Sequence, residues 1–258
     1  MTDKIDGRIA EITGQTDHRP SPLPKMPWVM AMKEEDLLYI HWPVPVERLR
    51  PLVPTELEIE TYEGQAWLTM IPFQMTQLHL RGLPPIPGLS TVPQVELRTY
   101  VRMKEQSGVT FLSLDANHPL ITWVAGNIFQ LPYLNAKVEL TKRKNSIYFQ
   151  CRRPASDTTP AAEFVGSYWP VGRPSQAKPG SLEYFLVERY VLFVKGLGNL
   201  IYWGAVHHLP WNIQSVEVEI ETNTIPAAAG IELPETNPLL YYAAGRNVIT
   251  WPVLPFFT

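Results

Sequence analysis

Glu188 and Arg189 are adjacent within residues 179–193, PGSLEYFLVERYVLF, where a short helix gives way to a strand. Their neighbours Phe185, Leu186, Val187, Val191 and Leu192 are apolar. Burial in such company raises the pKa of an unpaired glutamate and prepares it as a general acid or base, whereas pairing with an arginine keeps it ionised. The plainer reading is a buried pair that fixes the helix-to-strand corner. Farther on, residues 207–211 read HHLPW. Adjacent histidines on a strand point to opposite faces, so His207 and His208 are poorly placed to share one metal. No HExxH or CxxC motif accompanies them. His208 beside Trp211 reads better as a pocket-lining base next to an aromatic wall.

Residues 94–103 add a third group. Val95, Leu97, Thr99, Val101 and Met103 share one face of an alternating strand, and Glu96, Arg98, Tyr100 and Arg102 the other. Half-buried sheets normally have a polar face in water. The competing reading is the polar wall of a cavity, with Arg98 and Tyr100 contacting a ligand and Arg98 gripping it through forked hydrogen bonds. Asp115, before Asn117, His118 and Pro119, fits a turn or cap. Cys151 alternates with Ile147 and Phe149 and reads as a core residue; as the chain's one cysteine it excludes an intramolecular disulfide and points to a reducing compartment.

The elements that position these groups are mostly strands. Proline is abundant, 26 in 258 residues, which breaks long helices and favours short strands joined by turns. Residues 37–42 have strand composition and precede a short helix over 47–53 that ends at Pro54. Residues 66–75 carry Trp67, Ile71 and Phe73 on one face and Leu68 and Met70 on the other, as in a closed or double-layered sheet. Residues 109–116 should pair antiparallel with the preceding strand. Ser181 is a good N-cap for the helix before Glu188, and 190–194 with 200–207 form a hairpin signal around KGLGN. Residues 81–93 form a proline-rich loop, the one candidate for a protein-docking patch. Residues 215–221 alternate as a half-exposed strand, and the tail from Ile225 is expected to lie as extended segments over the core.

Residues 1–25 are polar and proline-rich and read as an arm or strap. A single domain over 26–258 follows, since no linker interrupts it and 45% apolar residues suffice for a large core. A net charge of −3 gives no pull toward nucleic acid or acidic lipid. Lys142, Arg143 and Lys144 fall in a hairpin turn and read as solvated. The first residues carry no apolar run of signal-peptide length, so a cytoplasmic location is expected and no membrane partner. Phosphate-binding motifs are absent, so no nucleotide cofactor is expected, and the anticipated partners are a small-molecule ligand and, as an open option, a second copy of the chain.

In order, LLYIHWPVPVERLRPLVPTEL, GQAWLTMIPFQM, ELRTYV, GVTFLSLDA, LPYLNA, GSLEYFLVERY and HHLPW resemble the YqjF-like family of the acetoacetate decarboxylase-like superfamily, over roughly residues 26–252. The resemblance implies a mainly β fold with a few short helices, an antiparallel cone or barrel enclosing a cavity. The superfamily's known enzymes carry paired lysines after a proline in a segment that here reads GNIFQLPYLNA, residues 126–136. After Pro132 those positions hold Tyr133 and Leu134, so the Schiff-base amine is missing. Lys137 lies four residues beyond Tyr133, about 13 Å along an extended strand, too far to replace it. Tyr133 keeps the cavity position, as a pocket wall or as a hydrogen-bond donor to a carbonyl. Two functions are therefore expected to compete. One is small-molecule binding by Tyr133, Arg98, Trp211 and the Glu188 and Arg189 pair. The other is a cofactor-independent lyase, isomerase or hydratase, with Glu188 or His208 as base and Arg98 or Tyr133 holding an oxyanion.

Overall fold

In the computed structural model, residues 9–84, 91–117 and 130–256 are described. The start of the GNIFQ segment, His118 and Pro119, and the centre of the proline-rich loop lie outside them.

The strands, in chain order, are β1 (Met30–Val44), β2 (Glu58–Ile59), β3 (Ala66–Leu80), β4 (Thr91–Met103), β5 (Gln106–Ala116), β6 (Tyr133–Asn135), β7 (Lys137–Lys142), β8 (Ile147–Arg153), β9 (Ala162–Pro170), β10 (Ser175–Gln176), β11 (Val191–Lys195), β12 (Ile201–His208), β13 (Asn212–Gln214), β14 (Val216–Asn223), β15 (Leu239–Thr250) and β16 (Leu254–Pro255). The larger sheet runs β15-β1-β3-β4-β5-β11-β12 through its middle, and β12 pairs again with β15, Val206 facing Thr250. Seven strands thus close a ring, as the expected cone requires. A second sheet, β14-β9-β8-β7, lies against part of its outer face.

This double layer explains why β3 is apolar on both faces. Trp67, Ile71 and Phe73 join the ring interior with Leu37, Tyr39, Tyr100 and Trp211. Leu68 and Met70 turn outward into a cluster with Phe149, Cys151, Phe164 and Tyr168 of the second sheet. Burial pushes the Cys151 thiol pKa up, so it stays an unreactive core group. Asp115 is a structural tie: fully buried, it accepts two hydrogen bonds from Arg153 Nη1, at 2.8 and 3.1 Å, and so joins β5 to β8, while the turn it was expected to cap lies from His118 on outside the described residues.

β1 begins at Met30, well before the strand composition at Leu37 suggests, and contains a bulge. Asp36 has φ 57°, and the pairing with β3 shifts register between Glu35 and Ile40. The inward side therefore changes parity, from Met30, Met32 and Glu34 to Leu37 and Tyr39. Gly245 of β15 sits opposite Glu35 with φ 145°, and a Cβ there would lie 2.5 Å from the Glu34 carbonyl oxygen. Gly245→Ala should cost about 1–3 kcal/mol, read as a lowered melting temperature; an unchanged melt would show that β1 can shift freely at this crossing.

The tail departs from the expected overlay. Residues 239–250 form β15, a ring strand paired with β1 on one side and with β12 and β13 on the other. Its Ala-Ala-Gly stretch lacks the bulky alternation that marks strands, and its place is set by long-range pairing.

The helix Leu182–Val187 is capped as expected, Ser181 Oγ accepting from Tyr184 N–H at 3.2 Å. Residues 9–25 run as a strap over the β12–β15 seam. Ile9 and Ile12 pack with Ala205, Ile249 and Trp251. His207 Nε2 reaches the Ile12 carbonyl at 2.7 Å, and Arg19 Nη1 donates to the Val206 carbonyl at 2.7 Å and to His207 Nδ1 at 3.1 Å.

Candidate functional site

Two adjoining chambers occupy the ring, one of about 90 Å³ and one of about 330 Å³. They share Glu34, Phe73, Glu96, Phe111, Leu192, Val206 and Val248. The larger is mainly apolar, walled also by Met30, Met75, Leu114 and Tyr133. The smaller adds the polar groups Tyr39, Arg98, Arg189 and His208, beside Trp211. Glu34 and Glu96 border both.

β4 supplies the centre of this polar group. Its Glu96, Arg98 and Tyr100 face inward, so the strand's polar face meets the ring interior instead of water. Arg98 Nη1 donates to Glu96 Oε1 at 2.9 Å, with both side chains nearly buried. Arg98 Nε has no hydrogen-bond partner. Burial raises the Glu96 pKa, with Arg98 opposing the shift. Glu34, from β1 before the bulge, has no hydrogen-bond or ion-pair partner among the described residues. Burial, then the charge of Glu96, pushes its pKa up to about 8 against the pull of Arg98, so it is a neutral acid at neutral pH.

The residues singled out from sequence are distributed around this centre. Arg98, Arg189, His208 and Trp211 line the smaller chamber and Tyr133 the larger. Tyr100 borders neither; its hydroxyl donates to the Leu186 carbonyl at 2.8 Å and lies 2.6 Å from Thr69 Oγ1. Glu188 and Arg189 do not pair with each other. Arg189 forms an ion pair with Glu60 at 2.6 Å and lies over the Phe185 ring at 4.2 Å. Glu188 accepts from Tyr190 OH at 2.5 Å and from Trp211 N–H at 2.8 Å, behind the chamber wall. Burial raises its pKa and these two bonds oppose the shift. His208 stacks on Tyr190, and burial pushes its pKa down to about 3. Its Nδ1 and Nε2 face the carbonyl oxygens of Leu209 and Arg189 at 3.0 and 3.3 Å. His207 points the other way, into the strap.

Tyr133 stands on β6, paired in parallel with Leu114 of β5, and donates to Gln94 Oε1 at 3.1 Å. Burial raises its pKa, which keeps the phenol protonated. Lys137 lies outside on β7, paired with Glu139 at 3.1 Å, and no lysine is among the described residues lining either chamber. Among the described residues no three His, Cys, Asp or Glu side chains converge as a metal site, and no helix is long and apolar enough to cross a membrane.

The architecture is that of the acetoacetate decarboxylase-like fold. Acetoacetate decarboxylase from Legionella pneumophila superposes with a TM-score of 0.60 at 12% identity, covering 98% of this chain and 95% of that one. The enduracididine biosynthesis enzyme MppR, complexed with pyruvate, gives 0.60 at 10% identity over 92% and 93%. An acetoacetate decarboxylase-like enzyme from Sphingomonas wittichii RW1 gives 0.57 at 12% identity over 93% and 98%. The DUF2071 family model, described as an uncharacterized conserved protein, matches residues 31–247, and the chain belongs to that family. It is 43% identical over 226 residues to the uncharacterized protein YqjF of Bacillus subtilis (strain 168), covering 88% of this chain and 92% of YqjF.

Proposed function

We propose that this protein binds a small, largely apolar molecule carrying a carbonyl or hydroxyl head, on a decarboxylase-like scaffold that has lost Schiff-base chemistry. The observation that carries this reading is the mainly apolar 330 Å³ chamber, with Glu34 and Glu96 where it adjoins the smaller chamber that Arg98 lines. Among the described lining residues each arginine is matched by a carboxylate, Arg98 by Glu96 and Arg189 by Glu60. An anionic keto acid therefore finds no uncompensated cation, whereas a neutral carbonyl oxygen can accept from protonated Glu34. Ketones, phenols and quinones fit better than carboxylates. Tyr133 and Trp211 serve as aromatic walls in this reading.

Thermal shift tests it. A neutral ligand at 100 times its Kd should stabilise the protein by about 2.7 kcal/mol, a rise of roughly 5–10 °C for a chain of this size. Leu78→Trp, which fills the larger chamber, should remove the response. If keto acids shift the melt and neutral compounds do not, the head-group assignment fails; silence from both classes rejects the chamber as a ligand site.

A second reading, acid–base catalysis without a cofactor, is favoured by one observation: the unpartnered carboxyl of Glu34.

A further inference from the structure

Glu34 combines three properties. It borders both chambers, it comes from the strand face that the Asp36 bulge turns inward, and no described side chain or backbone group bonds its carboxyl. An enclosed, unpartnered carboxyl is disfavoured as an anion and is retained as the protonated acid. Glu96 borders the same chambers but is salt-bridged to Arg98 at 2.9 Å, a contact that favours its ionised form. A neutral acid and a carboxyl ion-paired to an arginine thus border the same two chambers.

We propose that Glu34 and Glu96 are the acid and the base of an enolisation site for neutral ketones, Glu34 protonating the carbonyl oxygen while Glu96 removes the α-proton. In that step the α C–H bond breaks and its electron pair becomes the C=C π bond. The carbonyl π pair moves to oxygen, where an O–H bond forms with the proton of Glu34. Glu96 is left protonated and Glu34 ionised, and the reverse step restores both, so no oxidant, reductant or metal enters the balance. Arg98, which lines the smaller chamber, supplies positive charge beside the developing enolate oxygen. Neither acid is one that sequence reading nominated as a base. The inference rests on the chamber being a small-molecule site.

The test uses phenylacetone, a neutral ketone with acidic α-hydrogens, in D2O near neutrality. Loss of the α-proton signal by NMR reports enolisation, and saturation transfer from protein to ketone reports binding. The wild type should exchange the α-hydrogens about 100-fold faster than buffer, in the range expected of positioned acid–base groups. Glu34→Gln should return exchange to the buffer rate while saturation transfer persists, and Glu34→Asp should recover part of it. Binding without accelerated exchange in the wild type overturns the enolisation proposal and leaves the binding site standing, as does full exchange in Glu34→Gln. Absence of saturation transfer to the wild type defeats both. Because Glu96→Gln would strand Arg98, the Glu34 variants decide the question.

Discussion

Arg153→Met is expected to lower the melting temperature by on the order of 10 °C. Asp115 is fully buried and Arg153 nearly so, and Nη1 contacts both carboxylate oxygens. Without the guanidinium, Asp115 retains, among the described residues, Ser113 Oγ at 3.3 Å as its side-chain partner. Breaking one side of a buried pair costs about 3–5 kcal/mol, because the surviving charge is left in a poor medium. For a chain of this length each kcal/mol moves the melt by roughly 2–4 °C. The double variant Asp115→Leu with Arg153→Met should recover most of the loss, since the pair as a whole is worth much less than its rupture. Scanning calorimetry decides it: a double variant as unstable as the single one would mean that the pair fastens β5 to β8 by more than charge neutralisation.

Glu34→Gln is expected to stabilise the protein, increasingly so as pH rises. The folded pKa of Glu34, about 8, lies above the roughly 4.3 of an unfolded glutamate. Below the lower value both states hold the proton. Between the two values the native state keeps it and the unfolded state has released it, so stability falls with rising pH. The slope is about 1.4 kcal/mol per pH unit, and the penalty amounts to a few kcal/mol by pH 8, then levels off. Gln carries no such proton. Melting curves should therefore coincide near pH 4 and separate by several degrees at pH 8, with the variant on top. Parallel curves across that interval would place the Glu34 carboxyl in water.

The sequence carried much of this in β3 and in the β11–β12 hairpin, where large apolar residues or clear turn chemistry leave one arrangement. The inward polar face of β4 was also visible, but its medium was not. Alternation reports that Glu96, Arg98 and Tyr100 share a side, and only the closed ring decides whether that side meets water or a cavity. Glu34 was hidden for a different reason. Lys33, Glu34, Glu35 and Asp36 are four consecutive charged residues, and a strand begun at Leu37 leaves them out. Had the period been followed from Met30 and Met32, Glu34 would have fallen on their side. Lys33 and Glu35 do face outward, paired at 2.6 Å. A positive φ at Asp36 then inverts the parity, which side-chain alternation does not announce. Glu188 and Arg189 could not be paired from adjacency: Tyr190, two residues on, bonds Glu188 from within the same segment, and Trp211 and Glu60 are brought in by two other segments.

The pairing of Met30 with Thr250 and of Lys33 with Asn247 also governs how the polypeptide can be made. During synthesis β1 leaves the ribosome with an unsatisfied edge, and the strand that completes it is translated more than two hundred residues later. Until then the hydrogen-bonding groups along that edge, with Met30 and Met32 beside them, are open to other chains. A nascent polypeptide of this design needs slow handling or an escort until β15 arrives, and a premature stop before that strand leaves an adhesive product instead of a shorter working one.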